Sequence, residues 1–483
     1  MRVKGAVSSG SCRGARITEG CRGNDRDSPE RVEHQRIDVA GDDHVGAAVH
    51  PQLQKLVVLR VTATRRVLGD GNKLSSGDWK TTFLAPTTLI GFFQDYVDFL
   101  IGRGQTGKAL EVAESSRARV LNQRLEHRGA VPPDLRLGKL LSAARAGHTT
   151  ILSYWLNPDR SSVWVIASGR LSRFDLPPAK EIAALVQKYT EIVTQGGEPL
   201  GRNDPVASSL YQAVLGPVRK LIPPGSNVII VPDGALHQLA FETLVVPGPR
   251  PHYWIEDVAI ATAPSLRVLG YDDHQPPRTP KLLLMGDPVL TDQEFAPLPN
   301  VRKEIAAVEE QFPAPNRIVL TGASAVPAAY AKASPANFTS IDFATHATAN
   351  RESPLNSAII LSHQGESFKL YARDVADVPL NAEVVTISAC TSAGAKAYSG
   401  EGLMGFAWAF LQAGAENVIA SLWDVDDASS VEIMRRLYAG LAAGQSPARA
   451  LRTAKLALLH SGASGRLPYY WGPLEVFTRQ IAR

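Results

Sequence analysis

Apolar residues in the second half of the chain fall into short, nearly continuous runs separated by amphipathic stretches. In order, the runs are KLLLMGDPVL, RIVL, SIDFATHA, SAIILS, AEVVTISAC and ENVIASLWDV. Runs that are apolar at every position indicate strands buried on both faces, and intervening helices indicate parallel connections. The pattern therefore predicts a mostly parallel sheet covered by helices across residues 279–483.

An earlier stretch shows a more mixed pattern of the same kind. Residues 149–176 alternate as two or three strands would, and helical periodicity follows at residues 179–195 and 206–221. The apolar run NVIIV then leads into a turn at Pro232-Asp233-Gly234. We assign residues 149–275 to a first α/β subdomain and residues 279–483 to a second.

The N-terminal part shows a different pattern of apolar and polar residues. Residues 79–128 contain two amphipathic stretches around a polar turn, which predicts a helical hairpin, and KALEVAESSRARVL resembles the last helix of a tetratricopeptide array. A single repeat cannot bury its own apolar face, so we expect it to contact the next domain and to bind an activating protein partner. Residues 1–78 lack a sustained period and are expected to be disordered or foreign to the native protein.

Composition narrows the function classes. The 483 residues are 44% hydrophobic and 20% charged, with a formal net charge of +4. No run reaches the roughly 18 apolar residues of a membrane span, and no apolar signal core follows the start. We therefore expect a multidomain cytoplasmic protein that binds neither membrane nor, given its small net charge, nucleic acid directly.

Two residues with catalytic potential end neighbouring apolar runs. His346 follows SIDFAT, Cys390 follows AEVVTISA, and the other two cysteines lie before residue 22. Because the carboxyl ends of parallel strands meet at one edge of a sheet, the imidazole could serve as general base for a thiol nucleophile. The backbone N–H groups of Cys390 and Ala347 are candidate oxyanion donors. Either side chain alone could be ordinary packing, but the pair favours catalysis.

Motifs for other chemistries are missing. The chain has no His-Glu-x-x-His, Cys-x-x-Cys or Gly-x-Ser-x-Gly. A Gly-x-x-x-x-Gly-Lys sequence ends at Lys108, but Ala109 replaces the hydroxyl residue that binds magnesium, and the preceding segment is helical. We therefore expect no metal and no cofactor.

Several long segments resemble the CHAT-domain proteins, relatives of caspases and separases in clan CD of the cysteine peptidases. They are FATHATANRESPLNSAIILS, TISACTSAGAKAYSGEGLMGFAWAFLQAGAENVIASLWDVDD, VPDGALHQLAFETL and PYYWGPLEVF, and the resemblance covers roughly residues 80 to 480. It implies a caspase-hemoglobinase fold, a first subdomain without catalytic residues, and a His346–Cys390 dyad that cuts peptide bonds. The chain departs from the family at Ala347, where glycine is usual.

The segment SLWDVDD suggests a specificity. It resembles the corresponding segment of separases, which cut after arginine, and a carboxylate in a partly dry pocket selects Arg or Lys. Asp427 is the first candidate for this basic pocket, followed by Asp426 and Asp424. The alternative is that Asp426 and Asp427 cap the helix that follows them.

Three functions remain open from the sequence. The first is a cysteine endopeptidase that cleaves a protein substrate after Arg or Lys and is controlled by a partner. The second is a catalytically silent scaffold or sensor that mediates protein–protein interaction, favoured by Ala347 and the short repeat region. The third is acyl transfer or hydrolysis of a non-peptide substrate by the same dyad.

Overall fold

A computed structural model describes most of the chain after residue 86. The described residues are 87–118, 121, 122, 125, 134–201, 204–269, 278–290, 294–350, 352–388, 396–398, 402–462 and 464–481. Cys390, its expected oxyanion N–H and the predicted disordered segment 1–78 lie outside them.

The α-helices of this part of the chain flank a large sheet. They are α1 Thr87–Gly102, α2 Thr106–Ser115, α3 Leu137–Ala146, α4 Ala179–Thr194, α5 Pro205–Val214, α6 Val301–Glu309, α7 Pro327–Lys332, α8 Ala372–Asp377, α9 Phe406–Ala413, α10 Asp427–Ala442, α11 Pro447–Leu459 and α12 Pro468–Trp471.

The strands divide between that sheet and three small ones. They are β1 Thr149–Trp155, β2 Ser161–Ala167, β3 Arg170–Leu176, β4 Asn227–Val231, β5 Val245–Val246, β6 His252–Tyr253, β7 Ala259–Thr262, β8 Leu282–Gly286, β9 Arg317–Thr321, β10 Ser340–Ala344, β11 Ala347–Thr348, β12 Ala358–Gln364, β13 Ser367–Tyr371, β14 Val384–Ser388, β15 Lys396–Tyr398, β16 Gly402–Met404, β17 Asn417–Ser421 and β18 Leu474–Thr478.

The large sheet runs in the order β3-β2-β1-β4-β7-β18-β17-β14-β10-β8-β9. Its pairs are antiparallel at β3-β2, β2-β1 and β17-β18 and parallel elsewhere. The predicted α/β class, a mostly parallel sheet flanked by helices, is confirmed. The two predicted subdomains both contribute strands to this sheet, so their boundary does not interrupt it.

The central strands are buried on both faces, which explains their continuous apolar runs. In β10, Ile341 and Phe343 pack into one core cluster and Ala344 into another. In β14, Val385 and Ile387 join the first cluster and Val384 the second. Helices on both faces complete these clusters, as a parallel sheet requires.

Strand β18 joins the two halves of the sheet. It pairs parallel with β7 and antiparallel with β17, although it follows every other strand of the sheet in the chain. A buried ion pair supports this junction, because the ammonium of Lys455 on α11 donates to the Glu242 carboxylate and to the carbonyl of Leu474 in β18.

Helices α1 and α2 pack together, and α2 is fixed to the sheet by a buried carboxylate. Glu114 accepts hydrogen bonds from the N–H of Leu266 at 2.7 Å, the hydroxyl of Ser153 at 3.2 Å and the guanidinium of Arg117 at 3.0 Å. Glu114 lies in α2, Arg117 lies just after it, and Ser153 lies in β1. These bonds therefore fix α2 against the first half of the sheet. No helix of the described residues is long and apolar enough to cross a membrane.

Candidate active site

The register of two neighbouring strands aligns the positions from which the predicted dyad extends. β10 and β14 run parallel, and their last residues, Ala344 and Ser388, are direct partners. His346 comes two residues after Ala344, and Cys390 comes two residues after Ser388 in the sequence. In the sequence, each predicted catalytic residue therefore comes two residues after a strand end, and the two strand ends lie at the same edge of the sheet.

A backbone carbonyl holds His346. Its Nε2 lies 2.7 Å from the carbonyl oxygen of Ala296, and its ring lies 5.5 Å from that of Phe295, centre to centre. Because a carbonyl oxygen can only accept, Nε2 carries a hydrogen, and in the neutral imidazole Nδ1 keeps the lone pair. Sequence reasoning missed Ala296, since a backbone acceptor in a loop leaves no trace in residue type.

Ala347 adopts a conformation that does not require glycine. It lies in β11 opposite Ile359 of β12 and is not among the non-glycine residues with positive φ. The neighbouring pair is bonded, because the Ile360 N–H donates to the His346 carbonyl at 2.9 Å. In an antiparallel ladder the next position along is non-bonded, so the N–H of Ala347 points away from β12.

A pocket opens beside His346 and contains the first of the predicted specificity residues. The space inside it is about 30 Å³, and it is partly open to solvent. Its lining residues are Leu298, Val301, Glu304, Ala344, Thr345, His346, Ser388, Val425, Asp427 and Ser430. Ala344, Thr345, Val301, Glu304 and Ser430 are buried, whereas the others are half-exposed, so the buried group forms the inner wall.

The inner wall contains a carboxyl group that the sequence analysis did not single out. Glu304, on α6, is 3% exposed, and its Oε2 accepts a hydrogen bond of 2.5 Å from Ser430. Ser430 lies 2.7 Å from the hydroxyl of Ser388, and either hydroxyl can be the donor in this contact. Oε1 of Glu304 has no hydrogen-bond partner among the described residues. Burial raises the pKa of Glu304 to about 7, although the two hydroxyls oppose the shift.

The three predicted aspartates have different surroundings. Asp427 lines the pocket, and its Oδ2 accepts from the backbone N–H and the side-chain amide of Asn300, at 3.0 and 2.7 Å. Asp426 is the N-cap of α10 and accepts from the N–H and hydroxyl of Ser429. Asp424 is exposed and does not line the pocket. The structure thus brings only Asp427 of the three together with His346.

Comparison with protein families identifies the family of the chain. Residues 204–478, more than half of the chain, match the CHAT domain. The chain belongs to the CHAT-domain family. No curated protein matches the chain.

Solved structures similar to this chain include separases and gingipains. The Saccharomyces cerevisiae separase–securin complex matches with 10% identity and a TM-score of 0.44, over 70% of this chain and 30% of the separase chain. The Arg-specific cysteine proteinase gingipain R matches with 11% identity and a TM-score of 0.36, over 62% of this chain and 74% of its own. The complex of the pro- and mature domains of Porphyromonas gingivalis RgpB matches with 12% identity and a TM-score of 0.36, over 63% of this chain and 77% of its own. The chain therefore spans less than a third of the separase chain.

Proposed function

We propose that the protein is a cysteine endopeptidase with Cys390 as nucleophile and His346 as general base. The observation that carries the proposal is the register of β10 and β14. Their last residues are direct partners, and each predicted catalytic residue comes two residues after one of them in the sequence. Membership of the CHAT-domain family supports it. The fixed tautomer of His346, with its Nδ1 lone pair unused by Ala296, suits a base.

The reaction follows from the two groups. Nδ1 of His346 takes the thiol proton of Cys390, and the thiolate attacks the carbonyl carbon of the scissile peptide. The tetrahedral intermediate collapses as the C–N bond breaks and the imidazolium gives its proton to the leaving amine. Water, deprotonated by the same imidazole, then hydrolyses the thioester and restores the thiol.

Two backbone N–H groups would stabilise the oxyanion of the intermediate. Those of Cys390 and Ala347 are our candidates, and the N–H of Ala347 is suited because its strand position turns it away from β12. The extended backbone at Ala347 also means that a methyl group in place of the usual hydrogen introduces no strain there.

We propose cleavage after a basic residue. Among the described residues, the pocket beside His346 is lined by two acidic side chains, Glu304 and Asp427, and by no basic one apart from the histidine itself. The negative charge of Asp427 at the half-exposed rim attracts a cationic side chain. Asp426 and Asp424 do not line the pocket, so Asp427 is the sequence-predicted residue to which we give this role.

Labelling of the cysteine tests the dyad. A peptidyl acyloxymethyl ketone with a basic residue before the reactive carbon should modify wild type and fail to modify Cys390→Ala. His346→Ala should lose labelling, whereas His363→Ala, which changes an exposed histidine on β12, should retain it. Absence of labelling in wild type, measured with the candidate partner proteins added, would contradict the peptidase.

A catalytically silent scaffold or sensor is the second candidate. The short repeat-like region favours it, whereas Ala347 no longer does, because its extended backbone does not require glycine. We propose that in either case a protein partner binds through the helices α1 and α2. The separase structure similar to this chain contains a protein partner, securin. A scaffold would bind its partner equally well as wild type and as Cys390→Ala, and neither form would cut any peptide.

A further inference from the structure

A second and larger cleft lies over one face of the small sheet β11-β12-β13. Its volume is about 810 Å³, and it is open to solvent. One residue of each strand packs against the core on the other face: Ala347, Ile359 and Leu370. Side chains alternate between the two faces along a strand. The neighbours of these residues therefore face the cleft and line it: Thr348, Ala358 and Tyr371.

The strands of the small sheet connect this cleft with His346. Ile360 of β12 donates its N–H to the carbonyl of His346, and it is the register partner of Lys369 in β13. Lys369, which lines the cleft, therefore lies two strands from the histidine, roughly 10 Å away at the usual strand spacing. Another part of the lining is Glu294, directly before the two residues that contact the imidazole. The cleft thus adjoins the expected general base.

The proposed reaction determines which part of a substrate reaches this cleft. The imidazolium of His346 gives its proton to the leaving amine, so the nitrogen after the scissile bond must lie within hydrogen-bond distance of the ring. An extended chain advances about 3.3 Å per residue, so three residues span about 10 Å. The first three residues after the scissile bond can therefore cover the distance from His346 to Lys369.

The lining of the cleft includes four charged residues in the described part of the chain. Glu294, Glu352 and Arg373 are exposed, whereas Lys369 is half-buried. A charge that is partly withdrawn from water is screened less than an exposed one, so Lys369 dominates the potential inside the cleft. Lys369 forms no ion pair with a described residue, and its Nζ lies 4.9 Å from the centre of the Phe368 ring.

A purely structural role explains only part of this arrangement. β13 is an edge strand of the small sheet, and a lysine on an edge discourages pairing with other strands. That role gives no reason for the lysine to face a cleft, or to lack a carboxylate partner while two glutamates line the same cleft. Arg373 extends the positive region, because its guanidinium stacks 4.0 Å above the ring of Tyr371.

We propose that this cleft binds the segment of a substrate that follows the scissile bond, and that Lys369 selects an acidic side chain within its first three residues. The inference rests on the proposed peptidase function and deepens it. Lys369 binds the carboxylate through charge-assisted hydrogen bonds. Arg373, which is held by Asn356 and by the Tyr371 ring, adds to the attraction from the rim.

Internally quenched peptides test the selection. They share a basic residue before the scissile bond and carry aspartate, asparagine or lysine at one of the three positions after it. For the best aspartate peptide, the full chain should show a kcat/KM about 5-fold above that of the asparagine peptide and about 20-fold above that of the lysine peptide, as expected for a partly exposed charge contact. The preference should weaken as the salt concentration rises, because salt screens a half-buried charge.

Charge reversal separates recognition from folding. Lys369→Glu should invert the preference, so that the lysine peptide becomes the better substrate, and Lys369→Gln should bring the three peptides to within about 2-fold of each other. Lys332→Glu, the same change at an exposed position of α7 outside the cleft lining, should behave as wild type. The acyloxymethyl ketone, whose peptide lies before the reactive carbon, should label Cys390 at the wild-type rate in every variant, which shows that each is folded.

The outcomes distinguish this inference from the function on which it rests. Equal cleavage of the three peptides by a wild type that the ketone labels would overturn the acidic selection and leave the peptidase intact. An acidic preference that persists in Lys369→Glu would overturn the role of Lys369. If neither ketone nor peptide reacts with wild type while iodoacetamide still alkylates Cys390, the proposed peptidase fails and the inference fails with it.

Discussion

The carboxyl group of Glu304 also links the stability of the fold to pH. Its pKa is about 7 in the folded chain and 4.5 in a free side chain, so the folded form retains a proton that the unfolded form releases between these values. The free energy of unfolding should therefore decrease as the pH rises from about 4.5 through 7, by about 3 kcal/mol for this group. Below pH 4.5 both forms are protonated and the effect vanishes.

Urea unfolding at pH 5 and pH 8 measures this contribution of Glu304 to the free energy of unfolding. Glu304→Gln should show a smaller loss of stability between the two pH values than wild type, with the difference near 3 kcal/mol. Glu475 contributes equally to both proteins and cancels in the comparison, whereas Asp342 does not, because the charge of Glu304 helps to raise the pKa of Asp342. An identical pH dependence in the two proteins would mean that Glu304 is ionised normally in the fold.

The residues of the site differ in how far the sequence reveals them. His346 and Cys390 end apolar runs, and a run that ends in a reactive side chain can be recognised from the sequence alone. Glu304 stands in VRKEIAAVEE among other charged residues and looks like one more solvated position of an amphipathic helix. Only the packing of α6 against α10 shows that it is buried beside Ser430.

At the scale of elements, helix α2 is bound to the sheet by polar contacts that are fully buried. Glu114 is 0% exposed and Arg117 is 4% exposed, so removing one of them leaves the other charged and unpaired. Glu114→Ala should lower the free energy of unfolding by about 3 kcal/mol and make the α1–α2 region sensitive to limited proteolysis. Glu111→Ala, at an exposed position of the same helix, should do neither.

The same contacts connect the helices with the part of the chain that follows Cys390. Burial and, to a smaller extent, the charge of Arg117 lower the pKa of His237 to about 3. Burial raises the pKa of Asp233, and the same charge of Arg117 opposes that rise. The turn that contains His237, Gly234–Gln238, lies against β15 and β16. These contacts form a continuous path from α2 to the segment that follows Cys390.

Reactivity of the thiol tests that route. In Glu114→Ala, the rate of alkylation of Cys390 by iodoacetamide should change by roughly 5-fold or more, the size of a typical coupling between two sites. Glu111→Ala again serves as the matched control. Equal rates in Glu114→Ala and wild type, with the α1–α2 region cut faster by protease, would show that the helices do not influence the nucleophile.

Element prediction from sequence worked best where the pattern is unambiguous. Helix α4 spans Ala179–Thr194, against a prediction of 179–195. The predicted helix at 206–221 ends earlier, since α5 stops at Val214 and only a short 3₁₀ turn forms at Arg219–Leu221. Gly216 and Pro217 follow the end of α5, and a proline lacks the backbone N–H that a continued helix requires.

At the scale of the whole molecule, Lys455 is central to the junction of the sheet. It is 0% exposed and pairs with Glu242, while Glu475 of β18, whose pKa is raised to about 8 by burial, lies close enough to feel both charges. Lys455→Met removes the cation and leaves the buried Glu242 close to the half-buried Glu475. We expect a loss of 3 to 5 kcal/mol in the free energy of unfolding, the usual cost of breaking a buried pair.

Thermal unfolding followed by fluorescence and by circular dichroism checks this expectation. The variant should melt at a lower temperature than wild type, and Thr453→Met, at an exposed position of α11, should not. Equal melting temperatures for Lys455→Met and wild type would mean that the acids take up protons at no cost and that the ion pair contributes little.

The position of β18 was beyond prediction from sequence. LEVFT reads as a short strand, but nothing in five residues specifies that both neighbours are strands more than fifty positions away. Such pairing depends on the edges that the earlier strands leave open, which is a property of the assembled sheet.

The late place of β18 in the chain has a consequence during synthesis on the ribosome. Until residues 474–478 leave the exit tunnel, β7 and β17 have an unpaired edge each, and the sheet cannot close. Exposed edges of this kind invite pairing with other nascent chains. The order of the strands therefore delays the joining of the two halves of the sheet until translation has passed β18, and the incomplete chain exposes two open strand edges until then.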